Sequence, residues 1–229
     1  MMKKTILLLL AIIYIVPVFA DERDRAIIAS SADDRVQLEV LSRVGYGFHI
    51  VKTPDYKPSV SGEFFFNVMQ LDVFPHPNLG LSLGVDCAFN RFTSKTTEFY
   101  LDADHKIQAL DFSQYSVPVG SKHNGGFKYF SFHAPLMVRG IVGDLKISAG
   151  GELGVNLPGT AYYSHKVDNR TNSVSENKAR LNTCSFAIVA GITYCDLGFF
   201  AKFYPKATSV LPSGSVSMSY WTIGFIYGM

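Results

Sequence analysis

The chain has 229 residues, of which 48% are hydrophobic, 14% aromatic and 17% charged, and its formal net charge is +2. A charge this close to zero gives no support for nucleic-acid binding, which needs a basic surface. The three cysteines are an odd number without CxxC or His-rich spacing, which argues against a disulfide framework or a zinc site.

The first twenty residues have the pattern of a secretory signal peptide. A basic MMKK start precedes an apolar run that ends at Val18, and the small residue Ala20 stands at the expected cleavage point. The run is too short for a permanent membrane helix. We therefore expect residues 1–20 to be removed and residues 21–35 to form a periplasmic segment. A retained signal anchor is the alternative, which the acidic start at Asp21 disfavours.

Apolar and polar residues then alternate along Val36 to Val51, with Leu41 and Ser42 as the exceptions. This pattern predicts a strand with one apolar and one polar face. Typical strands run about five to six residues, whereas a tilted strand that crosses a bilayer needs roughly nine to eleven. The length of the stretch indicates a membrane-spanning strand.

The same alternation recurs along the rest of the chain and predicts about eight strands in all. In the second strand the phase slips between Val68 and Met69, which predicts a β-bulge. The later strands are expected at Gly62–Phe74, Leu79–Asn90, Phe127–Val142, Leu145–Asn156, Cys184–Tyr194, Leu197–Phe203 and Trp221–Met229.

Short and long connections alternate between these strands. Tight turns are predicted at Pro75–Asn78, Gly143–Asp144 and Cys195–Asp196. Long polar loops are predicted at 93–126 and 157–178, with short strand pieces at Phe99–Leu101 and Gln108–Phe112. This order is typical of an outer-membrane barrel. The predicted fold of residues 36–229 is therefore all-β, an eight-stranded antiparallel up-and-down transmembrane β-barrel with short periplasmic turns, long extracellular loops and periplasmic termini.

The polar faces of the predicted strands carry acids and bases in balance. Because lipid cannot satisfy an open sheet edge, the ladder must close on itself, and the interior of an eight-stranded barrel is just wide enough for side chains. A soluble lipocalin-like barrel, with its apolar face inside, is the main rival. We expect these side chains to fill the lumen as ion pairs, and the alternative is that they form a conducting or catalytic pathway. The residues of this set are Glu39, Arg43, Glu63, Asp86, Arg139, Lys146, Glu152 and Lys202.

The segment Tyr129–Arg139, YFSFHAPLMVR, has a proline inside a predicted strand. It resembles the Pro-Leu strand of small outer-membrane barrels common in Bacteroidetes, the PorT-like family. The long loop before it, the two-residue turn after it and the Gly-rich stretch Ser148–Gly154 also match. Ala134 stands where the family usually has an aliphatic residue before the proline, and Met229 stands where an outer-membrane assembly signal typically has an aromatic residue. The resemblance implies an integral outer-membrane protein, whereas the secretion role of the namesake does not transfer on fold alone.

No hydrolase, metalloprotease or nucleotide-binding motif is present in the sequence. Ser131 and His133, on one inner face, are the single pair suggestive of an acyl hydrolase, and a lumen-filling role is favoured for them. The remaining histidines, at positions 49, 76, 105, 123 and 165, show no ligand spacing. We therefore predict no catalytic, cofactor or metal site and no enzyme.

The predicted function is that of a cell-surface protein whose outer loops bind a partner, a surface polymer or a ligand. Its other predicted partners are outer-membrane lipid and, during biogenesis, the barrel assembly machinery and periplasmic chaperones. A narrow pore for small solutes is the first alternative, and an outer-membrane hydrolase is the second.

Overall fold

The fold comes from a computed structural model and is described for residues 36–41, 43–111, 122–167, 170–206 and 210–228. The predicted signal peptide and N-terminal segment lie outside the described residues. In the described part of the chain, no helix is long and apolar enough to cross a membrane. The strands of these ranges are β1 (Val36–Val40), β2 (Val44–Lys52), β3 (Ser61–His76), β4 (Leu79–Ser94), β5 (Thr97–Leu101), β6 (Ile107–Asp111), β7 (Lys122–Val142), β8 (Leu145–Asn156), β9 (Gly159–Val167), β10 (Arg170–Ala179), β11 (Cys184–Tyr194), β12 (Leu197–Tyr204) and β13 (Ser219–Tyr227).

The main sheet is antiparallel throughout. Strand β2 pairs with β3, β3 with β4, β4 with β7, and β7 with β8. Strand β8 pairs with β11, β11 with β12, β12 with β13, and β13 with β2. This all-β antiparallel architecture fits a β-barrel.

In this sheet the polar face is buried and the apolar face is exposed, which is the reverse of the arrangement in a soluble protein. Leu136 and Leu153 are 58% and 60% exposed, whereas Glu63 and Ser131 are 0% exposed. Burying charged groups while exposing large aliphatic side chains is rare in soluble proteins. The lipocalin-like arrangement, with apolar residues inside, is therefore not the one observed. We call the buried side of the sheet the inner face.

The first predicted strand is interrupted instead of running unbroken to Val51. Leu41 has a φ of 52°, between β1 and β2. The predicted bulge in β3 is confirmed, because its register with β4 shifts between Asn67 and Met69. The amide of Leu41 donates to the Val68 carbonyl at 3.2 Å, so the break and the bulge lie side by side. The extra residue on β3 shifts the hydrogen-bonding pattern of this strand, and the neighbouring chain is interrupted between β1 and β2 at the same level.

The tight turns lie together at one end of the sheet. The amide of Ile141 donates to the Asn78 carbonyl at 3.0 Å, that of Cys195 to Asp144 at 3.1 Å, and that of Gly228 to Asp196 at 2.7 Å. Gly143 and Cys195 have φ values of 59° and 53°, as turns between antiparallel strands require. All three predicted turn positions are confirmed, although β3 continues through His76.

The described parts of the long connections contain more strand than the sequence predicts. The short strand pieces predicted in the first long loop are confirmed as β5 and β6, which pair as a hairpin. The prediction of a polar loop at 157–178 is wrong, because this segment forms most of the β9–β10 hairpin. Residues 122–128 of β7 extend past the part of β7 that pairs with β8, and they pair with β9 instead. The residues of the β9–β10 hairpin are mostly polar on both faces, so the apolar alternation that marks the other strands is missing in this hairpin.

Candidate functional site

Lys202 on β12 lies between two carboxylates on the inner face. Its Nζ is 2.7 Å from Glu63 Oε1 and 3.0 Å from Glu152 Oε2, and the Tyr204 hydroxyl donates to Glu152 Oε1 at 3.1 Å. The ammonium also lies 4.6 Å from the centroid of the Phe65 ring. These three charged residues are at most 2% exposed. Desolvated charges of this kind depend on one another, because an unpaired one would be very costly.

Two further ion pairs flank this group on the inner face. Arg43 Nη2 is 2.9 Å from Asp86 Oδ2, and Arg139 Nη1 is 2.8 Å from Asp72 Oδ2. Asp72 is missing from the predicted set. It follows the bulge in β3, where Gln70 and Asp72 alternate with apolar residues, and that shifted phase was the signal that could have revealed it.

The other two predicted lumen residues, Glu39 and Lys146, lie at the end of the sheet where the tight turns meet. Together with Gln37 and Pro77 they line a cavity of about 250 Å³. Deeper on the inner face, a cavity of about 30 Å³ beside Arg43 has room for only one or two water molecules. The middle of the inner face is therefore filled by side chains.

Ser131, His133 and Glu152 have the relative geometry of a nucleophile, a base and an acid. Ser131 Oγ is 2.8 Å from His133 Nε2, and His133 Nδ1 is 2.9 Å from Glu152 Oε1. However, Ser131 is 0% exposed, its Oγ accepts a hydrogen bond from Asn90, and Glu152 is shared with Lys202. Ser131 is also paired in register on both sides, in the β4–β7 and β7–β8 ladders. Such a site has no access for a substrate, so the arrangement serves better to fill the inner face.

At the opposite end from the tight turns, an apolar cluster closes over this polar group. Phe92 stacks between His49 and Phe127 at ring-centroid distances of 4.5 and 4.7 Å. It is 0% exposed, so its ring faces the inside of the sheet and not the lipid side. Residues from the long connections, among them Ile107 and Met218, complete the cluster. We call it the outer cluster.

Polar contacts hold the two outer hairpins, β5–β6 and β9–β10, to each other and to the main sheet. Between the hairpins, Glu176 Oε2 on β10 accepts a hydrogen bond from the Leu101 amide on β5 at 2.6 Å. From the main sheet, Arg91 Nε on β4 donates to the Tyr162 hydroxyl on β9 at 2.9 Å. Residues 171–175 of β10 are all exposed, and among the described strands β10 pairs with β9 alone. The hairpins therefore present a polar surface that is held in place by these contacts, and β10 presents an unpaired strand edge among the described strands.

Other chemistry is sparse in the described ranges. They contain no group of three or more His, Cys, Asp or Glu residues that could hold a metal ion. Cys87 is buried, Cys184 and Cys195 are exposed, and all three are free thiols.

No protein-family model and no curated protein matches the chain. Among solved structures, it is similar to Ail, the attachment invasion locus protein of Yersinia pestis. The identity is 17% over 85% of this chain and 98% of that chain, with a TM-score of 0.36. Ail in complex with the heparin analogue sucrose octasulfate gives the same values. A mutant of the Rh. blastica porin is 9% identical over 82% of this chain and 99% of that chain, with a TM-score of 0.16. Likenesses of this size leave the function open, and the resemblance to the PorT-like family stays a prediction.

Proposed function

We propose that the chain is an integral protein of the bacterial outer membrane. Strands β2, β3, β4, β7, β8, β11, β12 and β13 close on one another as an eight-stranded barrel, with the inner face as its lumen. The observation that carries the proposal is the reversed burial of the two faces, because a sheet that exposes rows of Leu, Ile and Phe needs an apolar solvent. The tight turns and both termini lie in the periplasm, and the outer hairpins lie at the cell surface.

The role that this arrangement supports best is binding by the outer hairpins, without catalysis. The lumen is occupied by paired charges, and the outer cluster, to which the hairpins contribute Phe99, Ile107 and Ala161, lies at its outer end. Within the described residues, β9–β10 presents a polar surface to the outside and is held to β5 by Glu176. Its ligand is a protein or a surface polymer. The resemblance to PorT-like proteins is consistent with this placement, and biogenesis would involve periplasmic chaperones and the barrel assembly machinery.

Replacing residues 171–175 with a Gly-Ser sequence of equal length is expected to abolish capture of the surface partner. The replacement removes exposed side chains and leaves the barrel contacts intact. The measurement is cross-linking on whole cells followed by identification of the captured molecules. The matched control replaces Pro77 and Asn78, in a periplasmic turn, with Gly-Ser. Capture that is equally strong in both variants would show that the outer hairpin is not the binding surface.

In planar bilayers, the purified protein is expected to give no stable current. The physical reason is the filled inner face, whose central cavity of about 30 Å³ is too small for a hydrated ion path. A porin inserted under the same conditions serves as the positive control. Reproducible unitary steps that scale with the amount of protein would favour the narrow pore instead. The hydrolase alternative is disfavoured by the burial of Ser131.

A further inference from the structure

Two histidines that are far apart in sequence meet where the β9–β10 hairpin leaves the barrel. His123 near the start of β7 is the register partner of His165 on β9. Their ring centroids are 4.4 Å apart and their planes are inclined by 78°. The sequence shows no ligand spacing for either residue, and only the β7–β9 pairing brings them together.

A phenol oxygen lies between the two imidazoles. The Tyr163 hydroxyl is 2.8 Å from His123 Nδ1 and 3.2 Å from His165 Nδ1. One hydroxyl can donate its proton to one of these nitrogens while it accepts an N–H from the other. Both Nδ1 atoms are therefore within hydrogen-bonding distance of one oxygen atom, and the three atoms together are potential metal donors.

These separations match those between neighbouring ligands of a metal ion. Bonds of about 2.0 to 2.1 Å at angles of 90 to 109° place ligand atoms roughly 2.9 to 3.4 Å apart. The Tyr163–His165 distance of 3.2 Å lies within that range, and the Tyr163–His123 distance of 2.8 Å is just below it. Imidazole suits late first-row metals, and Cu²⁺ is bound most tightly of the divalent series.

The strand that carries His123 is closely packed at this point. Behind the pair, a side chain at Gly125 would overlap the Thr97 carbonyl oxygen, so β5 packs closely against this part of β7.

We propose that His123, His165 and Tyr163 form a binding site for one late first-row divalent metal ion, with Cu²⁺ as the tightest ligand, at the base of the outer hairpin. Binding requires both Nδ1 atoms to be unprotonated, so the imidazole that donates its Nδ1–H to the phenol moves that proton to Nε2, and the phenol proton is released to solvent when the phenolate binds. The ion joins β7 to β9. The site stands on these contacts alone and does not depend on whether the hairpin binds a partner.

The test is a Cu²⁺ titration of the folded full-length protein, prepared without a polyhistidine tag, by calorimetry and electron paramagnetic resonance. We expect one ion per chain with at least two nitrogen donors. His123→Asn and His165→Asn should each weaken binding by about tenfold or more. His105→Asn is the matched control, since His105 lies in the β5–β6 turn, and it should leave the affinity unchanged.

Heat-modifiable gel migration shows that each variant is folded before it is titrated. Equal affinities for the wild type, His123→Asn and His165→Asn would overturn the proposal. So would an equal loss in His105→Asn, or a spectrum of the wild-type complex without nitrogen donors. Tyr163→Phe separates the contributions, because the two histidines alone should retain the nitrogen signature while binding more weakly.

Discussion

Replacing Lys202 with methionine is expected to lower the free energy of unfolding by about 3 to 5 kcal/mol. The ammonium is the shared partner of Glu63 and Glu152, at 2.7 and 3.0 Å, and all three groups are almost fully buried. Methionine is of similar length and keeps the packing against Phe65, so the change isolates the charge. Without Lys202, two carboxylates face each other in a space that water cannot reach.

Urea unfolding in lipid vesicles, followed by the fluorescence of the single tryptophan, Trp221, measures this effect. Lys57→Met is the matched control because Lys57 is exposed, and it should change the free energy of unfolding by no more than about 0.5 kcal/mol. The triple variant Lys202→Met/Glu63→Gln/Glu152→Gln should recover most of the lost stability, since it removes both unpaired charges. If Lys202→Met and Lys57→Met behave alike, the proposed ion-paired lumen is wrong.

Replacing Leu136 with arginine is expected to cost about 2 to 4 kcal/mol when the protein is folded in a bilayer. Leu136 is 58% exposed near the middle of β7, on the side proposed to face lipid. In water, the same substitution at an exposed site would be close to neutral, at about 0.5 kcal/mol or less. The size of the loss in stability therefore distinguishes lipid from water as the surroundings of the exposed face of the sheet.

Val60→Arg provides the comparison for this second experiment. Val60 is 74% exposed and lies in the connection between β2 and β3, outside the proposed membrane span. Unfolding in vesicles should show a loss for Leu136→Arg and little change for Val60→Arg. Equal stabilities of the two variants, together with recovery of the wild type in the soluble fraction of cells, would contradict a membrane location.

Local patterning was enough to locate most of the strands. Strand β8 begins and ends at the predicted residues, β11 ends at the predicted Tyr194, and the bulge in β3 is at the predicted place. These features depend on which way successive side chains point, and that direction has a period of two along any strand. The β9–β10 hairpin escaped prediction because neither of its faces is apolar, so alternation could not mark it.

The candidate site was predicted less completely than the strands. Of the eight predicted lumen residues, five pair with one another, Arg139 pairs with the unpredicted Asp72, and Glu39 and Lys146 line the cavity beside the turns. The burial of Phe92 and the meeting of His123 with His165 were not foreseen. Each of these contacts joins different strands, and its partner depends on the register between them.

The sequence by itself therefore determined the positions of most strands, the phase of their two faces and the tight turns between them, because these follow from interactions between near neighbours in the chain. Only the tertiary structure decided which charges meet and which aromatic rings turn inward, and it alone placed two distant histidines around one tyrosine. The physical reason is that strand register and the folding of the outer hairpins are properties of the whole sheet.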